Sequence, residues 1–495
     1  MCSSLENIAL PESLTKIDYL SFEGCTSLAS ITIPKSVKSF RQTSFGGCSN
    51  LKEIRYNAID CEFVKDGSYR YKLKSVEKVV IGEDVEVLPE RPFLLDTSLK
   101  ELYYNAVNCT YINYNDHTKP EFQSRCFPSS LEKVTIGEKV EKIPTYLFYR
   151  CGLIKDITIP ESVISIGKNA FADCSGLSEV MAPSIESWLK IKFENDKANP
   201  TYYAKKLICN GSSIRKLMIP EGEKRINAYA FVNCEPLVTV NVPVGFEGIG
   251  TLAFKGCSGQ QRFIFESLAD FLSINYDDEK SRFTEGNSGK IYIKDQAFDA
   301  TNIGEMTLPE GMKFIPDYAF YGYGITGITI PADLEWIGKY AFADTKLASI
   351  KCEGESERSF VLPDKISEVK EGCFRKTHLT KVSFGSTVTA IGANAFSDCD
   401  SMEEIEFLGV PVEFGSDAFN YGTGNGKPKV IIPCVKDWAQ AQFGNAAANP
   451  MYKAESVWVD DVQLHNMVVN VPEKVMGGNS FAGAKIEKAR ITAVP

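Results

Sequence analysis

Apolar residues along this chain recur in a fixed order, Leu-x-x-Ile-x-Ile, closed in many copies by proline. One copy has Leu28, Ile31, Ile33 and Pro34; others have Ile154, Ile157, Ile159 and Pro160, or Ile325, Ile328, Ile330 and Pro331. The Ile-x-Ile part alternates with period two and is β-branched, which predicts a short strand with one buried face. Proline directly after it cannot donate to a ladder, so the strand ends there. Next come two apolar residues three apart, such as Val163 and Ile166 or Val388 and Ile391, and then a phenylalanine opening Phe-x-x-Cys. That last motif stands at Phe22–Cys25, Phe45–Cys48, Phe148–Cys151, Phe171–Cys174, Phe231–Cys234, Phe254–Cys257 and Phe396–Cys399, with a step of 23 residues between adjacent copies. It lacks strand alternation and reads as a turn or a single helical turn. A period in the twenties predicts a solenoid, because one such unit cannot bury a core alone. Stacked at the strand spacing, about seventeen or eighteen coils would give one parallel sheet along a rod roughly 80–90 Å long.

Written in full, the unit is Leu-x-x-Ile-x-Ile-Pro-x-x-Val-x-x-Ile-x-x-x-Ala-Phe-x-x-Cys. This resembles the BspA-type leucine-rich repeat of surface proteins from gut and oral Bacteroidetes and some parasitic protists, over nearly the whole chain. The resemblance implies an α/β solenoid: a right-handed leucine-rich-repeat superhelix with a parallel sheet on one face and short helical or irregular segments opposite. It also implies an extracellular or cell-surface protein that adheres to host proteins or other cells.

Residues 1–435 are expected to form one continuous solenoid with inserts at about 57–75, 105–127, 184–213 and 266–290, and residues 436–495 a degenerate repeat acting as a cap. Two inserts share a signature. Trp188, Phe193, Asn199, Pro200, Tyr202 and Ala204 return 250 positions later as Trp438, Phe443, Asn449, Pro450, Tyr452 and Ala454. A shortened third copy has Phe271 and Tyr276. Ile185, Trp188, Leu189 and Phe193 have the spacing of a short amphipathic helix, so the tryptophans read as added core, with protrusion toward a partner as the alternative. The inserts at Ala58 and Ala106 both follow Tyr-Asn and both precede a Val-x-Ile-Gly strand. The closing segment carries a degraded coil with Met476 and Phe481.

A net charge of −10 with no Lys/Arg block argues against a nucleic-acid footprint, and no apolar run is long enough for a membrane helix. No charged-then-apolar leader opens the chain, and any signal peptide is expected to lie before it. Fifteen cysteines suggest disulfides. Yet the repeated slot also takes Thr345, Thr377, Tyr323 or Ala484, so a ladder of reduced thiols is the expectation. His117, His378 and His465 are far apart in sequence, hence far apart in a rod, and a shared metal or catalytic dyad is not expected. Gly322, Gly324 and Gly327 match a dinucleotide fingerprint in spacing but lack the helix that must follow. The glycines of 422–427 lack the Ser/Thr of a phosphate loop, and Asp277-Asp278-Glu279 lacks calcium-loop spacing.

What remains is surface. The x between the two strand isoleucines faces outward, and Arg55, Tyr103, Met181 and Met218 are the candidate binding residues of an expected concave face. The expected function is non-catalytic binding of a protein or glycan ligand, host extracellular matrix among them, by a monomer without cofactor or metal. The alternative is an envelope spacer with no ligand of its own.

Overall fold

The computed structural model describes residues 2–64, 74–89, 98–109, 111–113, 126–257, 261–283, 289–353, 362–421, 426–471, 477–484 and 488–493. Within them the chain winds into a β-solenoid of about 17 turns with few helices. Strand Ser30–Ile33 pairs in parallel with Glu53–Tyr56, setting Ile31 beside Ile54 and Thr32 beside Arg55. Lys78–Ile81, Glu101–Tyr104 and Lys133–Ile136 continue that ladder in the same register. The isoleucine positions point into one continuous core, and the x positions point out.

Each coil carries two further ladders. The pair of apolar residues three apart ends in a two-residue strand, and Lys142–Ile143, Ser165–Ile166 and Lys192–Phe193 pair in parallel with Ile143, Ile166 and Phe193 inward. This second ladder is an addition to the single sheet expected, since two residues are too few to show alternation.

The third ladder is the turn. Asn169 and Asp173 have φ of 56° and 59°, and the equivalent Tyr146 and Arg150 have 60° and 61°. Left-handed residues four apart bracket a stretch whose alternate backbone N–H groups point along the rod: Tyr146 donates to Lys168 O (3.1 Å), Phe148 to Ala170 O (2.9 Å) and Arg150 to Ala172 O (2.8 Å). Phenylalanines stack beneath these turns. Phe320, Phe342, Phe374, Phe396 and Phe419 follow one another at centroid distances of 5.1, 5.6, 5.3 and 5.3 Å, with rings within 20° of parallel. The cysteine thiols join the same ladder. Cys48, Cys174 and Cys257 donate to Phe22 O, Phe148 O and Phe231 O, each at 3.0 Å, whereas Thr345 and Thr377 turn back to their own coil's Phe342 O and Phe374 O. All fifteen cysteines are free thiols.

The main ladder is not one uninterrupted sheet. Three of its sheets end in an antiparallel hairpin: Leu207–Cys209 with Ser212–Ser213, Lys290–Ile293 with Gln296–Phe298, and Ser456–Val459 with Val462–Gln463. Asn210-Gly211, with φ of 50° and 74°, makes the first turn in the conformation two-residue hairpins favour. Folding back covers the sheet edge that another strand would otherwise extend.

Each hairpin follows an insert of the Trp type, and that insert bridges to the coil beyond it. Helix Ile185–Leu189, capped by Ser184, seats Trp188 in the core. Trp188 Nε1 donates to Ala230 O (2.9 Å), and Asn199 Nδ2 donates to Tyr229 O (2.8 Å) and Ala230 O (2.9 Å). The second copy repeats every bond: Trp438 Nε1 to Ser480 O, and Asn449 Nδ2 to Asn479 O and Ser480 O. In the third, Phe271 and Tyr276 are buried and Arg282 stands where Asn199 stands, its guanidinium 5.3 and 4.9 Å from the Tyr321 and Tyr323 ring centroids. The tryptophans therefore hold successive stretches together, and the idea that they protrude is wrong. In the other insert type, the Asn57 and Asn105 side chains lie over Gly82 and Gly137 so closely that a Cβ at Gly137 would sit 2.5 Å from Asn105 Oδ1. Met476 lies outside the described residues.

Candidate interaction face

The outward side of the main ladder has two columns of side chains. In the first, several neighbouring coils carry opposite charges, and Lys78 reaches Glu53 (3.2 Å), Lys206 reaches Glu179 (2.6 Å) and Lys381 reaches Glu404 (3.7 Å). Exposed pairs of this kind contribute about 0–1 kcal/mol each. Their larger effect is to keep the face soluble and fix side-chain positions.

The second column holds the aromatic residues. Lys78 Nζ sits 4.8 Å from the Tyr103 ring centroid, the Arg262 guanidinium 4.2 Å from Tyr292, and Lys429 Nζ 4.4 Å from Trp458. In each pair the cation belongs to the first column of the preceding coil, as the strand register requires. A cation this close to the ring centroid holds the half-buried side chain in place on the outward face. Sequence reasoning found Tyr103 and missed Tyr292 and Trp458. Their signal was the same x between two apolar strand residues, in the coils that close the second and third Trp-type inserts.

The four sequence candidates do not form one patch. Arg55 and Tyr103 share a sheet, two strand spacings or roughly 10 Å apart with Val80 between. Arg55 is engaged by Glu53 (2.8 Å) and is half-exposed. Met181 lies in another sheet, beside Thr158 and Ile208. Met218 follows the first hairpin, beside Asn241, and is exposed.

Other candidates resolve as parts of the scaffold. Gly322 (φ 65°) is a turn residue, Gly324 packs on Thr301 O, and Gly327 is in a strand. Asp278 accepts from Thr251 Oγ1 (2.9 Å) and Ser281 Oγ (2.7 Å), and Asp277 pairs with Arg225. The glycines 422–425 and His117 lie outside the described residues. Among the described residues, no group of three His, Cys, Asp or Glu side chains is placed to hold a metal ion, and no helix is long and apolar enough to cross a membrane. Burial pushes the Cys234 and Cys399 thiols up to about 11, so they are protonated and unreactive at neutral pH.

A sequence profile of the BspA type leucine rich repeat region, in six copies, matches residues 1–100, 99–207, 201–277, 283–358 and 354–431. Solved structures similar to this chain include a leucine rich cell surface protein from Faecalibacterium prausnitzii, 14% identical, covering 94% of this chain and 88% of that one with a TM-score of 0.31. Another is a leucine-rich repeat protein from Bacteroides ovatus, 18% identical, covering 87% of each chain with a TM-score of 0.23. A third is the pneumococcal vaccine antigen PcpA, 15% identical, covering 97% and 93% with a TM-score of 0.28. No curated protein matches the chain.

Proposed function

The chain belongs to the BspA-type leucine-rich repeat family, and from that premise we propose that it is a non-catalytic adhesion protein working outside the cell or on its surface. Its ligand is a protein or a glycan, with host extracellular matrix the first place to look. The observation that carries this reading is the outward face of the main ladder, where Tyr103, Tyr292 and Trp458 each sit within 5 Å of a cation supplied by the coil before. Aromatic residues, Arg and Met are what interfaces enrich. A scaffold stitched by three ladders per coil has little ordering left to lose on binding. Arg55 with Tyr103, and separately Met181 and Met218, are the proposed contact residues. Residues 436–495 are proposed to close the end of the rod.

The test is saturable binding of the purified chain to immobilised matrix proteins and mucin. Tight binding that is lost in the double variant Arg55→Ala, Tyr103→Asp, at unchanged thermal stability, supports the proposal. No saturable binding to any surface points instead to a spacer that only holds other modules apart.

A further inference from the structure

We propose that the notch above Gly327 is a subsite for one neutral sugar ring of a glycan. This deepens the adhesion reading and rests on its premise that the outward face of the main ladder binds ligands. Three observations meet at this place. First, Glu305, Gly327 and Ser349 are register partners in the first outward column. In that column, among the described coils, Gly327 is the only glycine, where others carry Glu53, Lys78 or Lys133. A glycine inside a strand weakens it and often marks close approach by a ligand. Second, the register shifts between Gly304 and Glu305, leaving Thr326 without a register partner on the Gly304–Thr307 side of the strand Ile325–Ile330, although its carbonyl accepts from Ala348 N (2.9 Å) on the other side. Bulges of this kind re-aim side chains and cluster near functional sites. Third, the polar groups round the notch are unoccupied. Among the described residues, Glu305, Thr307, Thr329, Ser349 and Lys351 have no side-chain hydrogen bond or ion pair, whereas elsewhere on this face Ser383 Oγ donates to Glu406 and Lys206 pairs with Glu179.

The chemistry of that lining selects the ligand. Three hydroxyls can donate or accept, the Glu305 carboxylate only accepts, and the Lys351 ammonium only donates. A ring hydroxyl is both donor and acceptor, so a sugar can satisfy all five. The two charges cancel, which favours an uncharged ring over an acidic one. The notch is open to solvent and has a volume of about 260 Å³, below the usual drug-sized pocket, which suits a single ring. A peptide strand would run along the sheet and needs no one-residue gap.

The probes are methyl glycosides of glucose, galactose, mannose and N-acetylglucosamine, titrated by saturation-transfer NMR against the full chain. At least one is expected to bind, with affinity falling tenfold or more in Gly327→Lys. That variant should fold, because lysine already occupies the equivalent positions at Lys78 and Lys133, and a Cβ there would meet only the movable Ser349 Oγ (3.0 Å) and Glu305 Cγ (3.1 Å). Thr329→Val, which removes one hydroxyl and changes little volume, should weaken binding severalfold and serves if Gly327→Lys does not fold. The proposal is overturned if no neutral glycoside binds, if only acidic sugars or peptides bind, or if Gly327→Lys and Thr329→Val bind as the wild type does. Matrix-protein binding that persists in Gly327→Lys and is lost in the Arg55, Tyr103 double variant would leave the adhesion reading standing without this subsite.

Discussion

Replacing Asn199 by aspartate tests whether the inserts hold the rod together. Asn199 is fully buried. Its Nδ2 donates to Tyr229 O and Ala230 O, and its Oδ1 accepts from Thr201 N (2.9 Å) and Thr201 Oγ1 (2.7 Å). Aspartate keeps the shape and the accepting oxygen but turns the donor into a second oxygen facing two carbonyls. Leaving buried partners unsatisfied costs about 1–3 kcal/mol each, and an uncompensated buried charge about 3–5 kcal/mol. These overlap, so about 4 kcal/mol at pH 7 is expected. The new carboxyl has a folded pKa raised above its unfolded value of about 4, so the penalty develops as pH rises through that value and shrinks toward it. Urea unfolding followed by circular dichroism and Trp fluorescence measures this, with exposed Asn210→Asp as the control. Because stability in a solenoid is a sum of local and nearest-neighbour terms, losing one joint should also split the transition in two. A loss under about 1 kcal/mol, or one matched by the control, would refute the joint.

Three further outcomes follow from the same packing. Gly137→Ala should destabilise by about 1–3 kcal/mol through overpacking against Asn105, and Asn105→Ala should restore most of it; additive losses in the double variant refute the clash. In the native protein a thiol reagent should modify the exposed Cys2 first and Cys434 more slowly, and all fifteen only in denaturant; a denatured count well below fifteen means disulfides. The Cys234 and Cys399 pKa values rise from 9.0 to about 11, chiefly by burial. Their contribution to stability is therefore intact below pH 9 and lost between pH 9 and 11, at about 1.4 kcal/mol per thiol per pH unit. Urea midpoints that do not fall from pH 8 to pH 10 would contradict this.

Strand, turn and stacking were legible because spacing repeats, and a repeat multiplies a weak local signal. Features carried by one or two residues were not. The left-handed turn positions are marked by Asn169 before the phenylalanine and by Asp173 and Gly256 after it, but Tyr146, Tyr229, Tyr318 and Tyr340 occupy the slot of Asn169 and hide it, since tyrosine is not a residue that predicts φ above zero. The 250-residue offset exposed the paired inserts. It could not reveal that Asn199 and Asn449 cap carbonyls about 30 residues ahead. On the outward face, the columns could be read from Ile-x-Ile alone. The Gly327 notch could not, because it exists only through the register of three strands and a bulge between them.

Residues that attract attention in the sequence, Trp188, Trp438 and the buried repeat cysteines, are taken up in joining coils. This narrows where specificity can reside. Since each joint sets how one stretch of the outward face meets the next, a ligand spanning Tyr103 through Tyr292 must cross the joint at Asn199, and one held at Tyr103 alone need not. Asn199→Asp, studied under conditions where both stretches stay folded, separates these cases. Two linked contacts bind more tightly than either alone by an effective concentration that depends on their fixed spacing. A spanning ligand should then lose affinity in the variant with no contact residue changed, and a local one should keep it.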